Sequence, residues 1–413
     1  MPQIPHETGL DHTAALLSEG YDFIPNRCRR YRSDIFETRL MLRKAVCMSG
    51  PEAAEVFYHP GRFTRQGAMP PTALKLLQDK GSVQQLSGEA HRHRKQMFMS
   101  LMTDANRERL LDLFEQEWRT SLAKWPSMDQ VVLHYEVQGI LCRAICRWAG
   151  VPLTESEARQ RTLEFGAMID GAGAVGPRNW QGMALRARTE RWARALIEEE
   201  RNAEQHAPEE TALSTIAHYR NRDGTLLDVK AAAVELVNVL RPTVAVARFI
   251  TFVALALHEH PGCREELDTD DARGRFVQEV RRFYPFFPLI GGRVQQAFEW
   301  RGYHFDQGAW VVLDLYGTDH DERAWNDPDV FRPARFRGGN ETPYNLVPQG
   351  AGDHYKGHRC PGEWITIDLM KAAVRLLTTA MRYDVPEQDL TVDLSRLPAI
   401  PASRFIVKNV QPL

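Results

Sequence analysis

The sequence predicts a mainly α-helical fold with small peripheral β-sheets. Three observations carry that reading. Long stretches repeat apolar residues every three to four positions, the period of a helix with one buried face. Runs that alternate apolar and polar residues are short and few. Nucleotide-binding α/β folds lack their fingerprint, since no GxGxxG follows a strand-like run and no GxxxxGK[ST] occurs.

Helices are expected over residues 90–102, 105–125, 131–149, 179–204, 227–258, 275–284 and 361–383. Asp129 and Asp228 stand where an N-cap would start two of them. Residues 298–305 and 309–314 read as two strands about a turn at 306–308, where Asp306 and Gly308 supply turn chemistry. The chain has 413 residues, enough for two or three domains by length alone. It shows no internal repeat and no low-complexity linker, so one large domain over 1–413 is the expectation.

Composition excludes several classes of function. Charged residues make up 26 % of the chain and balance to a net −2, with no long run of one sign, which argues against a nucleic-acid partner. The cysteines Cys28, Cys47, Cys142, Cys146, Cys263 and Cys360 are scattered and form no CxxC pair. That pattern fits a reducing compartment rather than a disulfide framework or a zinc ribbon. The N-terminus lacks a basic start followed by an apolar run. The most apolar segment, 237–257, is interrupted by Arg241, Pro242 and Arg248, short of the ~20 residues of a membrane span. A cytoplasmic protein without a membrane anchor is expected.

Cys360 ends a Gly-rich loop that begins at Pro348 and is followed by Pro361 and an apolar-periodic helix. Pro361 suits the first helical position. A cysteine at a helix N-terminus is biased towards thiolate by the dipole and the free backbone N–H groups. Local chemistry leaves two readings open here, a metal-binding or nucleophilic thiolate and an inert packed cysteine. Cys142 and Cys146, four apart in an apolar helix, read as packing.

Two further segments bear on the choice. Glu279 and Arg282 stand at i, i+3, and downstream runs a segment from His320 to Phe336 containing Trp325, Pro328, Phe331, Pro333 and Arg335. Taken in order and ending in Cys360, these residues resemble the signature of the cytochrome P450 superfamily, over most of the chain from about residue 45. The resemblance implies the helical cytochrome P450 fold and haem b (iron protoporphyrin IX) as cofactor. It makes Cys360 the iron ligand and Glu279, Arg282 and Arg335 a structural cluster. His91 and Lys95, one turn apart, match the helix that holds the haem propionates, while Arg65 and His358 match further propionate contacts. His93 and Arg94 read as a solvated face. One departure is Asp353, where the family loop usually has an aromatic seven residues before the cysteine. The loop also reads as longer, which puts docking of an ordinary reductase partner in doubt.

The segment 233–246 departs further. Ordinary family monooxygenases place an acid beside an alcohol in this helix, and none adjoins Thr243. Arg241 and Pro242 stand there instead. Pro242 frees the carbonyl of Asn238 and tends to kink a helix. A charged Arg241 on an apolar wall requires a partner. The two readings are a remote internal carboxylate and a substrate carboxylate gripped bidentately. Arg-Pro here, with the long cysteine loop, resembles the bacterial fatty acid peroxygenase branch and most closely its α-hydroxylating members. That resemblance implies long-chain fatty acid and hydrogen peroxide as substrates and requires no redox partner protein. The substrate carboxylate on Arg241 would serve as general acid/base. Gln84 matches the position where decarboxylating members carry His and hydroxylating members commonly carry Gln. Phe287 and residues 74–77 would line the substrate channel, with ordinary core packing the competing reading. The rival functions are a β-hydroxylase or decarboxylase of the same branch, a reductase-dependent monooxygenase, and a haem carrier or sensor without chemistry.

Overall fold

The computed structural model describes residues 3–151, 153–204, 207–208 and 210–413. Helices dominate, with a five-stranded sheet and two smaller sheets at the periphery. The largest core cluster lies among the helices around Val229–Glu259, a 31-residue helix called the central helix here. Asp228 caps it, its carboxylate accepting the Ala231 N–H at 3.1 Å. By length and apolar composition this helix would cross a membrane. However, 89 % of its most apolar stretch is buried inside the protein, so it is a core helix. Pro242 does not break it. The helix continues through the site, and Thr243 Oγ1 donates to the Val239 carbonyl at 3.0 Å.

The main sheet orders its strands Ile35–Leu40, Arg43–Met48, Trp310–Asp314, Leu289–Val294 and Phe63–Thr64. Arg43–Met48 pairs in parallel with Trp310–Asp314, and the other neighbours are antiparallel. Along Arg43–Met48, Val46 and Met48 join one apolar cluster, while Ala45 and Cys47 join another. That is the period-two alternation of a strand covered on both faces.

Several expectations need correction. Residues 298–305 are not one strand but a hairpin, Phe298–Trp300 against Tyr303–Phe305, turned at Arg301 and Gly302, both at positive φ. Trp310–Asp314 pairs elsewhere, in the main sheet. Asp129 caps no helix. Val131–Val132 pairs with the C-terminal strand Ile406–Pro412, and the helix starts only at Leu133. Pro361 is not in the first helical turn. Cys360 N–H donates to the Gln349 carbonyl at 3.0 Å, which holds residue 360 in the loop, and the helix runs Glu363–Arg375 with Gly362 at its N-cap. It also ends before residue 383, because Met381–Asp384 is drawn into pairing with Ile406–Pro412.

The helix Glu155–Gly171 was not expected at all. Its buried face includes Arg161 and Glu164, paired at 2.7 Å, which weakens its apolar periodicity. The legible signal was its capping box, in which Thr154 and Glu157 bond reciprocally.

Candidate functional site

Cys360 is half-buried between the Gly-rich loop and the helix Glu363–Arg375. Gly350 turns the loop at φ +94°, and a Cβ there would lie 2.8 Å from the Tyr58 hydroxyl, so the close approach requires glycine. Asp353 stands at the position of the family's usual aromatic because it builds a turn. Its carboxylate accepts the N–H groups of Tyr355 and Lys356, each at 2.8 Å.

Beneath the cysteine, Glu363 accepts from Arg281 at 2.5 Å and from Arg359 at 2.5 and 3.0 Å. Arg281 and Arg359 together hold the Glu363 carboxyl well below its usual range, against the opposing effect of burial. The Gln349 side chain spans Arg281, Thr366 and the Cys360 sulfur, its Nε2 lying 3.9 Å from Sγ. Sequence reasoning singled out none of Gln349, Arg281, Arg359 and Glu363. Burial pushes the Cys360 thiol up, opposed by Lys95, the Gly362 N–H and Arg281. The helix start alone therefore does not make this sulfur a thiolate.

Arg65, His91, Lys95 and His358 converge on one side of Cys360. The His91 and His358 rings face each other 3.9 Å apart. Lys95 Nζ donates to the Arg359 carbonyl next to the cysteine. Arg65 lies over the rings of Phe57 and Tyr58, and its buried Nε and Nη1 have no hydrogen-bond partner. No carboxylate among the described residues pairs with any of the four. Burial, with repulsion from Lys95 and Arg65, depresses His91 to about 4; burial also depresses Lys95 to about 8, against the pull of Cys360, Asp353 and Glu363, and brings Arg65 to about 10. Buried cations without anions call for an anionic ligand.

Among the described residues, no group of three or more His, Cys, Asp or Glu could hold a metal ion. One cysteine sulfur beside two unneutralised cations, Arg65 and Lys95, and two imidazoles that burial keeps neutral, His91 and His358, is the donor set for a metal that brings its own ligands and carboxylates. Haem is such a group, and these residues fit it: Cys360 would bind the iron, and Arg65, Lys95, His91 and His358 the two propionates.

His93 and Arg94 do not form a solvated face. Arg94 is buried and pairs with the fully buried Glu235 at 3.0 Å, while His93 meets the Tyr219 hydroxyl. The reason is that Glu235 of the central helix and Tyr219 and Asn221, in the segment after Ala212–Ala217, cover this side of Gly88–Leu101.

Glu279 takes Arg282 bidentately at 2.8 and 2.9 Å and Arg335 at 3.1 Å, with Glu279 and Arg282 fully buried. Arg335 also donates to the carbonyls of Asn326, Asp327 and Val330, pinning the loop that leads towards the cysteine. Removing one partner leaves a buried charge alone. Arg282→Ala is therefore expected to lower stability by about 3–5 kcal/mol. Urea unfolding measures this, and a loss below ~1 kcal/mol, the range of a surface pair, would contradict the role assigned.

On the central helix Arg241 is 4 % exposed. Its Nη2 donates to the Leu77 carbonyl at 2.5 Å and faces Asn238 Oδ1 at 3.5 Å, and its buried Nε has no partner. No described carboxylate pairs with it. Burial and the nearby Arg186 depress it to about 9, which still leaves it cationic at neutral pH. Gln84 lies in a short turn, Val83–Gln85, with its Oε1 3.5 Å from Asn238 Nδ2. Gln85 points elsewhere, to Gln78 at 2.9 Å. The structure thus brings Gln84 and Arg241 to one place on the central helix, on either side of Asn238. Residues 74–77 belong to the short helix Pro71–Leu77, in which Leu76 is core and Leu77 offers the carbonyl to Arg241. Phe287, 38 % exposed, follows Phe286, which stacks on Phe249 of the central helix at 4.0 Å.

Known proteins share this fold. The cytochrome P450 family model matches residues 274–398. Cytochrome P450SP alpha in complex with (R)-ibuprofen superposes with a TM-score of 0.95 at 50 % identity, covering 98 % of this chain and 99 % of that one. Cytochrome P450EX alpha with myristic acid gives 0.97 at 42 % identity and full coverage of both chains. A variant of cytochrome P450 OleT in complex with arachidonic acid gives 0.96 at 34 % identity, covering 100 % of this chain and 99 % of that one. Curated sequences match over a shorter span. The chain covers about a third of the length of those relatives. Rhazimal synthase of Alstonia scholaris, for example, is 27 % identical over 199 residues, 40 % of this chain and 38 % of that one. With half its residues identical to P450SP alpha over nearly its full length, with a cysteine and a group of basic side chains that fit haem, and with the buried Glu–Arg–Arg cluster, the chain belongs to the cytochrome P450 family.

Proposed function

We propose that this protein is a fatty acid peroxygenase, a single haem-thiolate domain over 1–413. It hydroxylates long-chain fatty acids with hydrogen peroxide, chiefly at the carbon next to the carboxyl. One observation carries the reading: Arg241 is a buried guanidinium near the turn that carries Gln84, with no carboxylate of a described residue paired to it. A substrate carboxylate supplies the missing charge, and a bidentate charge-assisted pair is worth about 1.5–3 kcal/mol. The ligands named for the similar structures, ibuprofen, myristic acid and arachidonic acid, are all carboxylic acids.

Haem, bound through Cys360, supplies the iron chemistry that spends peroxide on a C–H bond. The chain's own residues hold the acid and manage protons. Arg241 fixes the carboxylate. The carboxylate takes one proton from hydrogen peroxide and returns it to the departing oxygen. Thr243 cannot deliver protons in the manner of an acid–alcohol pair, because no acid adjoins it and its hydroxyl is spent on the Val239 carbonyl. A reductase partner is then unnecessary. Pro242 leaves the Asn238 carbonyl without its usual helical donor at the same turn.

Gln84 bears on which carbon reacts. An amide does not exchange protons near neutral pH, whereas an imidazole does. Alkene formation requires hydrogen abstraction at Cβ, so that loss of carbon dioxide leaves a double bond. Abstraction at Cα has no such outlet and ends in hydroxylation. A saturated long-chain acid with peroxide is therefore expected to yield mainly 2-hydroxy acid and little alkene, as read by gas chromatography. Dominant terminal alkene would overturn the role of Gln84, and dominant 3-hydroxy acid the placement of Cα. No turnover without an added reductase would overturn the peroxygenase reading itself.

A further inference from the structure

Glu235, Asn238 and Arg241 stand three residues apart on the central helix and so share one face. Glu235 is fully buried. Its Oε1 accepts the Val83 N–H at 2.8 Å and Arg94 at 3.0 Å, and its Oε2 accepts Asn238 Nδ2 at 3.2 Å. Asn238 Nδ2 also faces the Gln78 carbonyl at 3.3 Å and Gln84 Oε1 at 3.5 Å, while its Oδ1 faces Arg241 Nη2 at 3.5 Å.

The direction of these bonds is chemically determined. An ionised carboxylate only accepts, and a guanidinium only donates. Asn238 must therefore turn its NH2 to Glu235 and its oxygen to Arg241. The second N–H is shared between Gln78 and Gln84. Gln84, with its oxygen towards Asn238, is left with its own NH2 directed elsewhere, and Nε2 donates to no described residue. Two residues with donors to spare, Gln84 with its Nε2 and Arg241 with its unpartnered Nε, are thus bridged by the one side chain of Asn238.

We propose that Asn238 is a positioning residue that transmits the polarity of buried Glu235 to the acid-binding pair, so that Gln84 presents its N–H rather than its oxygen to the same carboxylate that Arg241 holds. This rests on the reading that Arg241 binds the substrate carboxylate. A two-point grip sets the tilt of the acid, and hence which carbon faces the haem. When Gln84 is free to turn, the acid pivots about Arg241 and its Cβ gains access.

The test uses holoenzyme with hexadecanoic acid and hydrogen peroxide, reading acid affinity from the haem absorption shift and the ratio of 2-hydroxy to 3-hydroxy product. Asn238→Ala should retain haem, weaken acid binding about 5-fold through one lost hydrogen bond, and lower the product ratio. In a Gln84→Ala background, Asn238→Ala should change the ratio no further, since the two act as one unit. Asn238→Asp would set an internal anion opposite Arg241 and should weaken acid binding at least about tenfold more than Asn238→Ala. A ratio shift of equal size in both backgrounds would overturn the inference. So would unchanged affinity and ratio in Asn238→Ala while Arg241→Ala loses the acid; in that case the function proposed above stands. Wild-type acid binding in Arg241→Ala would remove the function itself, and this inference with it.

Discussion

Arg241→Ala is expected to keep haem and lose peroxide-driven hydroxylation of long-chain acids. The Arg241 side chain bonds to the Leu77 carbonyl and Asn238 and to none of Arg65, His91, Lys95, His358 and Cys360, the residues assigned to haem. Two losses coincide at Arg241. The acid loses a charge-assisted anchor worth about 1.5–3 kcal/mol, or roughly 10- to 100-fold in affinity. It also loses its position as proton carrier, a contribution of about 10²–10⁴ in rate.

On the proposed function the carboxylate is the catalyst rather than the arginine, which gives the defect a diagnostic. In wild type, a short carboxylic acid too small to be attacked should seat on Arg241 and permit oxidation of a small non-acidic substrate. Arg241→Ala should not respond to that additive. Equal turnover of a long-chain acid by the two proteins would sink the carboxylate mechanism. Stability should move the other way. Arg241 is buried without an anion and leaves Nε unpaired, so it costs the free protein stability. Arg241→Met, which keeps an apolar stem, is expected to unfold at or above the wild-type temperature.

Cys360→Ser is expected to abolish the haem-thiolate signature and with it the activity. An alcohol does not ionise near neutral pH and is a poor donor to iron, whereas a thiolate pushes electron density onto it and favours O–O cleavage. The local fold should survive. The backbone bond from residue 360 to the Gln349 carbonyl and the pairing of Glu363 with Arg281 and Arg359 do not involve the sulfur. Arg65, His91, Lys95 and His358 should still retain haem. The red-shifted band of the reduced carbon monoxide complex should therefore vanish while haem content remains measurable, and product should fall to background. Persistence of that band would mean that another residue binds the iron.

The sequence by itself determined the helical class, the central helix and its Asp228 cap, the cysteine at the end of the Gly-rich loop and the presence of an odd Arg-Pro pair. Each depends on short-range information: a period, a cap residue, a motif. Even the polar face of the central helix was open to reading, since Glu235, Asn238 and Arg241 recur at a three-residue spacing within an apolar run. Only the tertiary structure decided what that face meets. Arg94 looked solvated because its partner Glu235 lies 141 residues away. Strand 381–384 looked helical because its pairing partner is the C-terminal strand. Pro361 looked like a helix start because the bond holding residue 360 in the loop comes from Gln349. The choice left open for Arg241, between an internal carboxylate and an external one, was also a question of long-range contact. The fold brings it the Leu77 carbonyl and Asn238 but no carboxylate of a described residue. Local propensity is weak, and a charged or strand-forming side chain takes its final state from whichever distant group satisfies it on burial.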